Sequence, residues 1–466
     1  MFNLKYIDLF AGCGGLSLGF ESEGFKLGFA VEKSDMAGET FYHNFIKPIK
    51  STSDWKAYLN KSAEQKLESG LYIGETISLL ENTNLIKKLQ KNLGDISLIV
   101  GGPPCQGFSM AGRRNPKDHR NQLPWQFLEY VELFRPKAVL MENVVGMRRD
   151  FVKHDISSPF KMIKNILEKG VGHNDDSPQY LVQELQLNAM HYGVPQHRPR
   201  VFLLGIRKDI AQDKGLTATE DIWNSLEYFK GNIGSDLCPL PTVKEKNILS
   251  VSDAIGDLYN NDIDNTHYLN IINNKSAFKK IVKSKTSELQ NHNLRNHSDK
   301  IKRRFQLYQY FSKNNISTKV FNLASKYNST NDKDIYNQLL LAIKDAPIPA
   351  YSPDKTIIAN SKEKLISDIL ELETKKHSQK PLKEELPSPT VVSIPDDVIH
   401  PTLARTMTVR EQARFQSFPD YFEFRSKETT GGARRKIDVP QYTQVGNAVP
   451  PLMAKAIAKH IKTLIE

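Results

Sequence analysis

Residues 98–109 read Leu-Ile-Val-Gly-Gly-Pro-Pro-Cys-Gln-Gly-Phe-Ser. Leu98, Ile99 and Val100 form a short apolar run that predicts a buried strand. Gly101-Gly102-Pro103-Pro104 ends it, because glycine permits unusual dihedrals and proline cannot continue a ladder. Cys105 follows at once. Open α/β sheets bind ligands outside the carboxyl ends of their strands, so the thiol stands where a site is expected. The competing reading is a small buried hydrophobe, the commoner fate of a free cysteine. The rest of the chain decides between them.

Upstream, Tyr6-Ile7-Asp8-Leu9-Phe10 predicts a first buried strand. Ala11-Gly12-Cys13-Gly14-Gly15 then makes a turn, and Leu16 to Phe20 starts a helix. Strand, glycine turn and helix form the arrangement that lets a nucleotide cofactor approach the backbone. A second strand, Leu27 to Val31, ends in Glu32, twenty residues after Gly12; an acid at that spacing suits a ribose diol. Cys13 reads as a packing residue of the turn. Residues 33–97 are less legible, with helices and a loop expected over 64–93.

Downstream, Phe127, Val131 and Phe134 recur at helical spacing, and Pro136 ends that helix. Lys137 to Met141 reads as a strand delivering Glu142-Asn143-Val144 to the edge that carries Cys105. Val201 to Ile206 is a further strand, preceded by the donor-rich Gln196-His197-Arg198-Pro199-Arg200. This alternation predicts a largely parallel α/β sheet.

The chain has 466 residues, which argues for two domains. No apolar run approaches the ~20 residues of a membrane span, and the N-terminal MFNLKYIDLF lacks a signal-peptide pattern. Three widely spaced cysteines, Cys13, Cys105 and Cys238, suit a reducing compartment, and no Cys/His cluster has zinc spacing. The net charge of +11 favours a polyanionic partner. Between Lys275 and Arg304 stand ten Lys/Arg against two acids, Glu288 and Asp299. This basic run predicts phosphate contacts, Lys302, Arg303 and Arg304 among them; its bland counterpart is a solvated helix face. Residues 211–400 are rich in Lys, Asn, Ser and Asp, and read as a smaller domain with long loops. Within it, Ile301, Phe305 and Tyr308 predict a basic amphipathic helix over 299–312. Thr408 and Glu411 form a capping-box pattern before a helix. Gln444 to Pro451 is a turn into a final helix over 452–465.

Taken together, these segments resemble the cytosine-C5 DNA methyltransferases. DLFAGCGGLSLGF resembles the family's S-adenosylmethionine loop and GGPPCQGFS its catalytic motif. Glu142-Asn143-Val144 matches its ENV element, and Gln196-x-Arg198-x-Arg200 its QxRxR element. Residues 405–421 and 444–451 resemble the ninth and tenth motifs, in the family's order. The resemblance implies a Rossmann-like α/β methyltransferase domain with a smaller inserted target recognition domain. The expected boundaries are 1–225 for the catalytic and cofactor domain, 226–435 for recognition and hinge, and 436–466 for a segment returning to the catalytic domain.

The resemblance also implies roles. Carbon 5 of cytosine is a poor nucleophile, and a thiolate added at C6 activates it. Cys105 is the expected nucleophile and Glu142, protonated, the partner of N3. Arg200 is expected at the cytosine O2 with Arg198 beside it. S-adenosylmethionine is the expected cofactor, held by Asp8, Phe10, Ala11, Gly12, Gly14, Gly15, Leu16, Glu32, Pro103, Asn447 and Val449. The family's third motif offers an Asp to the adenine; the nearest match here is Gly74-Glu75-Thr76-Ile77, with Glu in its place. Residues 106–124, with Arg113, Arg114, Lys117 and Arg120, are expected to close over a flipped nucleotide. The expected partner is double-stranded DNA, with a companion restriction endonuclease by family analogy. The protein is expected to be a cytoplasmic, nucleoid-associated bacterial monomer. An RNA cytosine methyltransferase would share the catalytic motifs but not need so large an insert. A nicotinamide-dependent oxidoreductase would explain Gly12 to Glu32 and leave Cys105, Glu142 and QxRxR idle. A catalytically dead DNA-binding module would not need the intact motif residues.

Overall fold

Continuous apolar runs such as Leu98–Val100 and Ala138–Met141 suit strands covered on both faces. They occupy the centre of one sheet. The computed structural model describes residues 4–104, 122–148, 158–172, 176–284, 286, 288–374, 379–432, 434 and 437–466. Among these, eight strands share the sheet: β1 (Lys5–Leu9), β2 (Lys26–Glu32), β3 (Leu71–Ile73), β4 (Leu98–Gly101), β5 (Ala138–Asn143), β6 (Tyr180–Asn188), β7 (Pro199–Arg207) and β8 (Trp223–Asn224). Their order is β3-β2-β1-β4-β5-β7-β6-β8. β1 to β5 pair with one another in parallel, whereas β7 runs antiparallel to both β5 and β6. The chain leaves β1 to one side for β2 and returns to the other for β4. That reversal opens a crevice at the carboxyl ends of β1 and β4.

The helices that accompany the strands are α1 (Gly15–Ser22), α2 (Asp35–Phe41), α3 (Thr52–Leu59), α4 (Ala63–Glu68), α5 (Thr76–Leu80), α6 (Thr83–Leu93), α7 (Leu123–Phe134), α8 (Pro159–Lys169) and α9 (Lys208–Asp213). Short helices α10 (Val251–Ile255), α11 (Thr266–Leu269) and α12 (Phe278–Ile281) follow. Next come α13 (Asp299–Lys313), α14 (Val320–Thr330), α15 (Lys333–Ala342) and α16 (Lys362–Glu371), then α17 (Val409–Phe415), α18 (Gln441–Asn447) and α19 (Pro451–Ile465).

Side chains alternate across the sheet, so each strand feeds two cores. Ile7, Leu9 and Ile99 pack with Phe127 and Val131 of α7. Tyr6, Leu98 and Val100 face the other way, onto Phe20 of α1 and Met453, Ile457 and Ile461 of α19. The C-terminal helix therefore closes the layer next to the first one. A third core joins Phe41, Phe45 and Trp55 to Val251, Phe278, Val409, Phe418 and Tyr442. Segments flanking the middle of the chain thus share a core with the N-terminal third.

A fourth core is built only from residues between Phe305 and Ile399, with Phe305, Tyr308, Phe311, Phe321, Leu365 and Ile369 at its centre. This region reads as loop-rich by composition, yet α13 to α16 form a helical unit around that core. Most of its polar residues lie outside, Gln309 and Asp368 being buried exceptions, and its apolar ones are spaced by three or four along each helix. β6 also escapes the sequence reading, although Tyr180, Val182, Leu185 and Leu187 are buried; one irregular step, with Gln183 also buried, interrupts the period of two.

Candidate active site

The turn after β1 is wound left-handed, with φ of 61° at Phe10, 57° at Gly12 and 95° at Gly14. A non-glycine residue in that region carries strain that the surroundings must hold. Here the surroundings are β2 and its end: the Ala11 amide donates to the Val31 carbonyl at 3.0 Å. The Gly12 amide donates to Glu32 Oε2 at 2.8 Å, and the Ser34 amide to Oε1 at 2.6 Å. The Glu32 carboxylate is thereby fixed beside the turn. Burial pushes its pKa up, and the amides of Ser34, Gly12 and Lys33 pull it back in part. Across from it, the end of β3 delivers Gly74, Glu75, Thr76 and Ile77 to the same cavity, and Glu75 pairs with Lys33 at 2.7 Å. The segment the sequence nominated for the adenine contact thus lines the cavity with Phe10 and Glu32, although far ahead of Cys105 along the chain.

The second half of the cavity lies past β4 and β5. Glu142 and Asn143 end β5, and Arg200 begins the antiparallel β7, so register brings them together. Arg200 Nε lies 3.0 Å from Glu142 Oε1. A Cβ on Gly102 would sit 2.9 Å from Glu142 Oε2, so a glycine is needed for the carboxyl to lie against the turn. Burial pushes the Glu142 pKa up, and the charges of Arg200 and Arg198 lower it in part. The ion pair and the place in the cavity thus coexist. Asn143 Nδ2 donates to the Pro103 carbonyl at 3.0 Å, and its Oδ1 accepts from the Val144 amide; it organises backbone. Both halves line one cavity of about 580 Å³.

Of the residues expected at the site, Phe10, Ala11, Gly12, Gly15, Leu16, Glu32, Pro103, Glu142, Arg198, Arg200, Asn447 and Val449 line this cavity. Cys105, Arg113, Arg114, Lys117 and Arg120 lie outside the described residues.

Two expected cofactor residues stand behind the wall. Asp8 is fully buried and accepts from Ser17 Oγ at 2.6 Å. Gly14 makes room for Phe45, whose ring would be 2.3 Å from a Cβ there. Arg198 lines the cavity with Arg200 and also reaches the C-terminal turn. Its Nη2 donates to the carbonyls of Gly446 at 2.8 Å and Ala448 at 2.9 Å. The side chain is a buried clasp on the C-terminal turn, where two backbone carbonyls converge. Gln196 is spent likewise, bridging the Phe415 carbonyl and the Val391 amide. Cys13 is buried and its pKa is pushed up to about 12 by burial, which leaves it an inert packing residue.

Sequence reasoning missed Gln126 and Gln444. Gln126 lines the cavity and accepts from Thr76 Oγ1; a glutamine on the apolar face of α7 was the available signal. Gln444 accepts from Thr40 Oγ1 at 2.6 Å and donates to the Val439 carbonyl at 3.0 Å, tying α2 to α18. Among the described residues no group of three or more His, Cys, Asp and Glu is set to hold a metal.

A switch-point crevice with a glycine turn, a ribose-type acid and a buried carboxyl–arginine pair defines an α/β nucleotide-cofactor enzyme. The family model described as C-5 cytosine-specific DNA methylase matches residues 4–67 and 75–463. The chain belongs to that family and is a DNA (cytosine-5)-methyltransferase. It is 29% identical to the type II methyltransferase M.DdeI of Desulfomicrobium norvegicum, over 99% of this chain and 89% of that protein. It is 28% identical to M.AgeI of Thalassovita gelatinovora, over 99% and 100%. A crystal structure titled as a prophage-encoded DNA modification methyltransferase of E. coli shares the fold, with a TM-score of 0.53 at 22% identity over 99% of both chains.

Proposed function

We propose that this enzyme transfers a methyl group from S-adenosylmethionine to C5 of a cytosine flipped out of a specific duplex DNA site, with Cys105 as the nucleophile. One observation carries the reading: the Phe10–Glu32 turn and the Glu142–Arg200 pair line a single cavity. A methyl donor and an acceptor base need that adjacency. The donor set fits the cofactor: Glu32 for ribose hydroxyls, Phe10 as an apolar face, and Gly12 and Gly15 where the backbone must be approached. When bound, S-adenosylmethionine supplies an electrophilic methyl on a sulfonium.

The chain's own residues do the rest. The Cys105 thiolate adds to C6, and the C5–C6 π electrons become available at C5 for attack on the methyl. Charge developing at N3 is met by the Glu142 carboxyl in its protonated form, which burial favours. Arg200 holds Glu142 in place and offers donors toward O2. After transfer a base removes the C5 proton, the electrons return to the ring and the thiolate leaves. Recognition falls to residues within 226–435, of which the α13–α16 unit has its own core. A companion endonuclease and a monomeric, cytoplasmic enzyme complete the reading; no helix among the described residues is long and apolar enough to cross a membrane.

The test is covalent trapping. Fluorine at C5 blocks removal of the last proton, so a 5-fluorocytosine duplex with cofactor is expected to hold the enzyme irreversibly. Cys105→Ser should bind DNA and cofactor but give no adduct, while Cys13→Ser and Cys238→Ser are trapped normally. A denaturing gel with an adduct on the Cys105 variant, or none on the wild type, overturns the mechanism.

A further inference from the structure

The basic run 275–304 does not act as one surface. Arg303 is committed to Asp368 at 2.6 Å and to Glu371 at 3.0 Å. Arg304 donates to the carbonyls of Leu372 and Glu373 at 2.8 and 3.1 Å. These two arginines hold α13 to α16 and are not available to a phosphate backbone. The lysines at the start of the run have a different environment. Lys279, Lys280 and Lys283 line a groove of about 620 Å³ whose other wall is Ile46, Lys47 and Pro48. All four lysines are exposed, and among the described residues no acidic side chain lines the groove. Among the described residues none of the four makes an ion pair within 4.0 Å.

The groove is built on a rigid floor. Phe278 and Val282 are buried in the same core as Phe41 and Phe45. The Lys283 amide donates to the Asn44 carbonyl at 2.6 Å, and Asn44 Nδ2 is itself tied to Thr40 and Glu423. The groove shares no lining residue with the catalytic cavity. α1 begins at that cavity with Gly15, whereas Lys283 interacts electrostatically with Glu21 at the other end of the helix.

We propose that Lys47, Lys279, Lys280 and Lys283 bind the phosphate backbone of duplex DNA that flanks the methylated site, on a surface apart from the α13–α16 unit. The proposal rests on the reading above that duplex DNA is the substrate. A substrate polyanion extends beyond any one site, and four exposed ammonium groups on two walls of a groove outnumber the acids that reach them, Glu21 near Lys283 and Asp54 near Lys47, which leaves excess positive charge for a run of phosphates. Each neutralised phosphate releases counterions, which makes the contact readable through salt.

The methylated site is mapped by base-resolution sequencing of DNA treated with the wild type. Affinity is then measured by fluorescence anisotropy at several salt concentrations, on a duplex trimmed to that site and on one extended at both sides. The wild type is expected to bind the extended duplex more tightly and with a steeper salt dependence. Changing all four lysines to Gln should remove that gain, lowering the slope by roughly 0.9 for each phosphate that is no longer neutralised. It should leave the trimmed duplex unaffected. Changing all four to Arg should restore the gain, which separates missing charge from a damaged fold. Equal slopes for wild type and Gln variant on the extended duplex overturn the proposal, as does an equal loss on both duplexes. Lysine-dependent binding that favours single-stranded or duplex RNA over DNA overturns it too. Lysine-dependent DNA binding by a wild type that methylates no cytosine would sink the catalytic reading and leave the groove standing. Methylation with lysine-independent binding would do the reverse.

Discussion

Asp8 shows how a site residue can act without touching a ligand. It lies at the switch point, yet its Oδ2 is taken by Ser17 and its Oδ1 is buried without a hydrogen-bond partner. Burial pushes its pKa from 3.8 to about 7, with the Ser17 hydrogen bond opposing. The unfolded chain therefore loses this proton first. Below 3.8 both states hold it; as pH rises from 3.8 to about 7 the unfolded state is favoured progressively, so stability falls over that window. Asp8→Asn keeps an acceptor for Ser17 and cannot ionise. Urea unfolding at a series of pH values should show the wild type losing stability between pH 4 and 7 and the variant losing distinctly less. Glu142 follows the same physics: burial raises its pKa and favours the acid form that the proposed mechanism places at N3, and that form is lost as pH climbs.

Among the elements, the contact between α1 and α19 joins the first motif to the last. A Cβ on Gly19 would meet Ala454 Cβ at 2.4 Å and the Lys455 amide nitrogen at 2.5 Å. A Cβ on Gly15 would meet the Val449 carbonyl oxygen at 2.3 Å. Backbone atoms cannot step aside as a flexible side chain would, so the helices must separate. Gly19→Ala is expected to destabilise by about 1–3 kcal/mol, the usual cost of overpacking, read by chemical denaturation. Because Val449 lines the cavity, calorimetry should also show weaker S-adenosylmethionine binding. α17 is fixed differently. Thr408 and Glu411 complete the capping box seen in the sequence, and Glu411 also pairs with Arg405 at 2.6 Å in a fully buried setting. The cap was legible as a pattern; its second partner was not.

For the molecule as a whole, the charges of the middle segment divide into structural and available ones. Arg303→Met removes a tie from Asp368, which is 2% exposed and then keeps Lys364 at 2.7 Å. Since Arg303 is itself partly exposed, the expected cost is about 1 kcal/mol, seen as a lower melting temperature of the α13–α16 unit. The salt dependence of DNA binding should not change. An unchanged melting temperature with a flatter salt slope would return Arg303 to the phosphate contacts that composition suggested for it.

Much of the site was legible because its parts are local. Apolar runs stop at a glycine, a proline or a charged residue, and the next few residues must fall at a strand's carboxyl edge; Phe10, Glu32, Pro103 and Glu142 all follow that rule. The helix over 123–134, the cap at Thr408 and the terminal helix are likewise set by short-range spacing and backbone chemistry. Partners far apart in the chain carry no such signal. Arg198 reads as a site residue because it stands beside Arg200, but the carbonyls of Gly446 and Ala448 claim its guanidinium. Arg303 reads as a free cation until Asp368 arrives on another helix. Lys47 is unremarkable until the fold sets it opposite Lys279, Lys280 and Lys283. Periodicity reports whether a residue is buried, not which group waits for it there. Local pattern specifies β1, β2, β4, β5 and β7 with the turns and caps that aim chemistry at one edge, because backbone chemistry acts at short range; packing between distant segments settles which charges are consumed in holding that edge and which remain for a ligand.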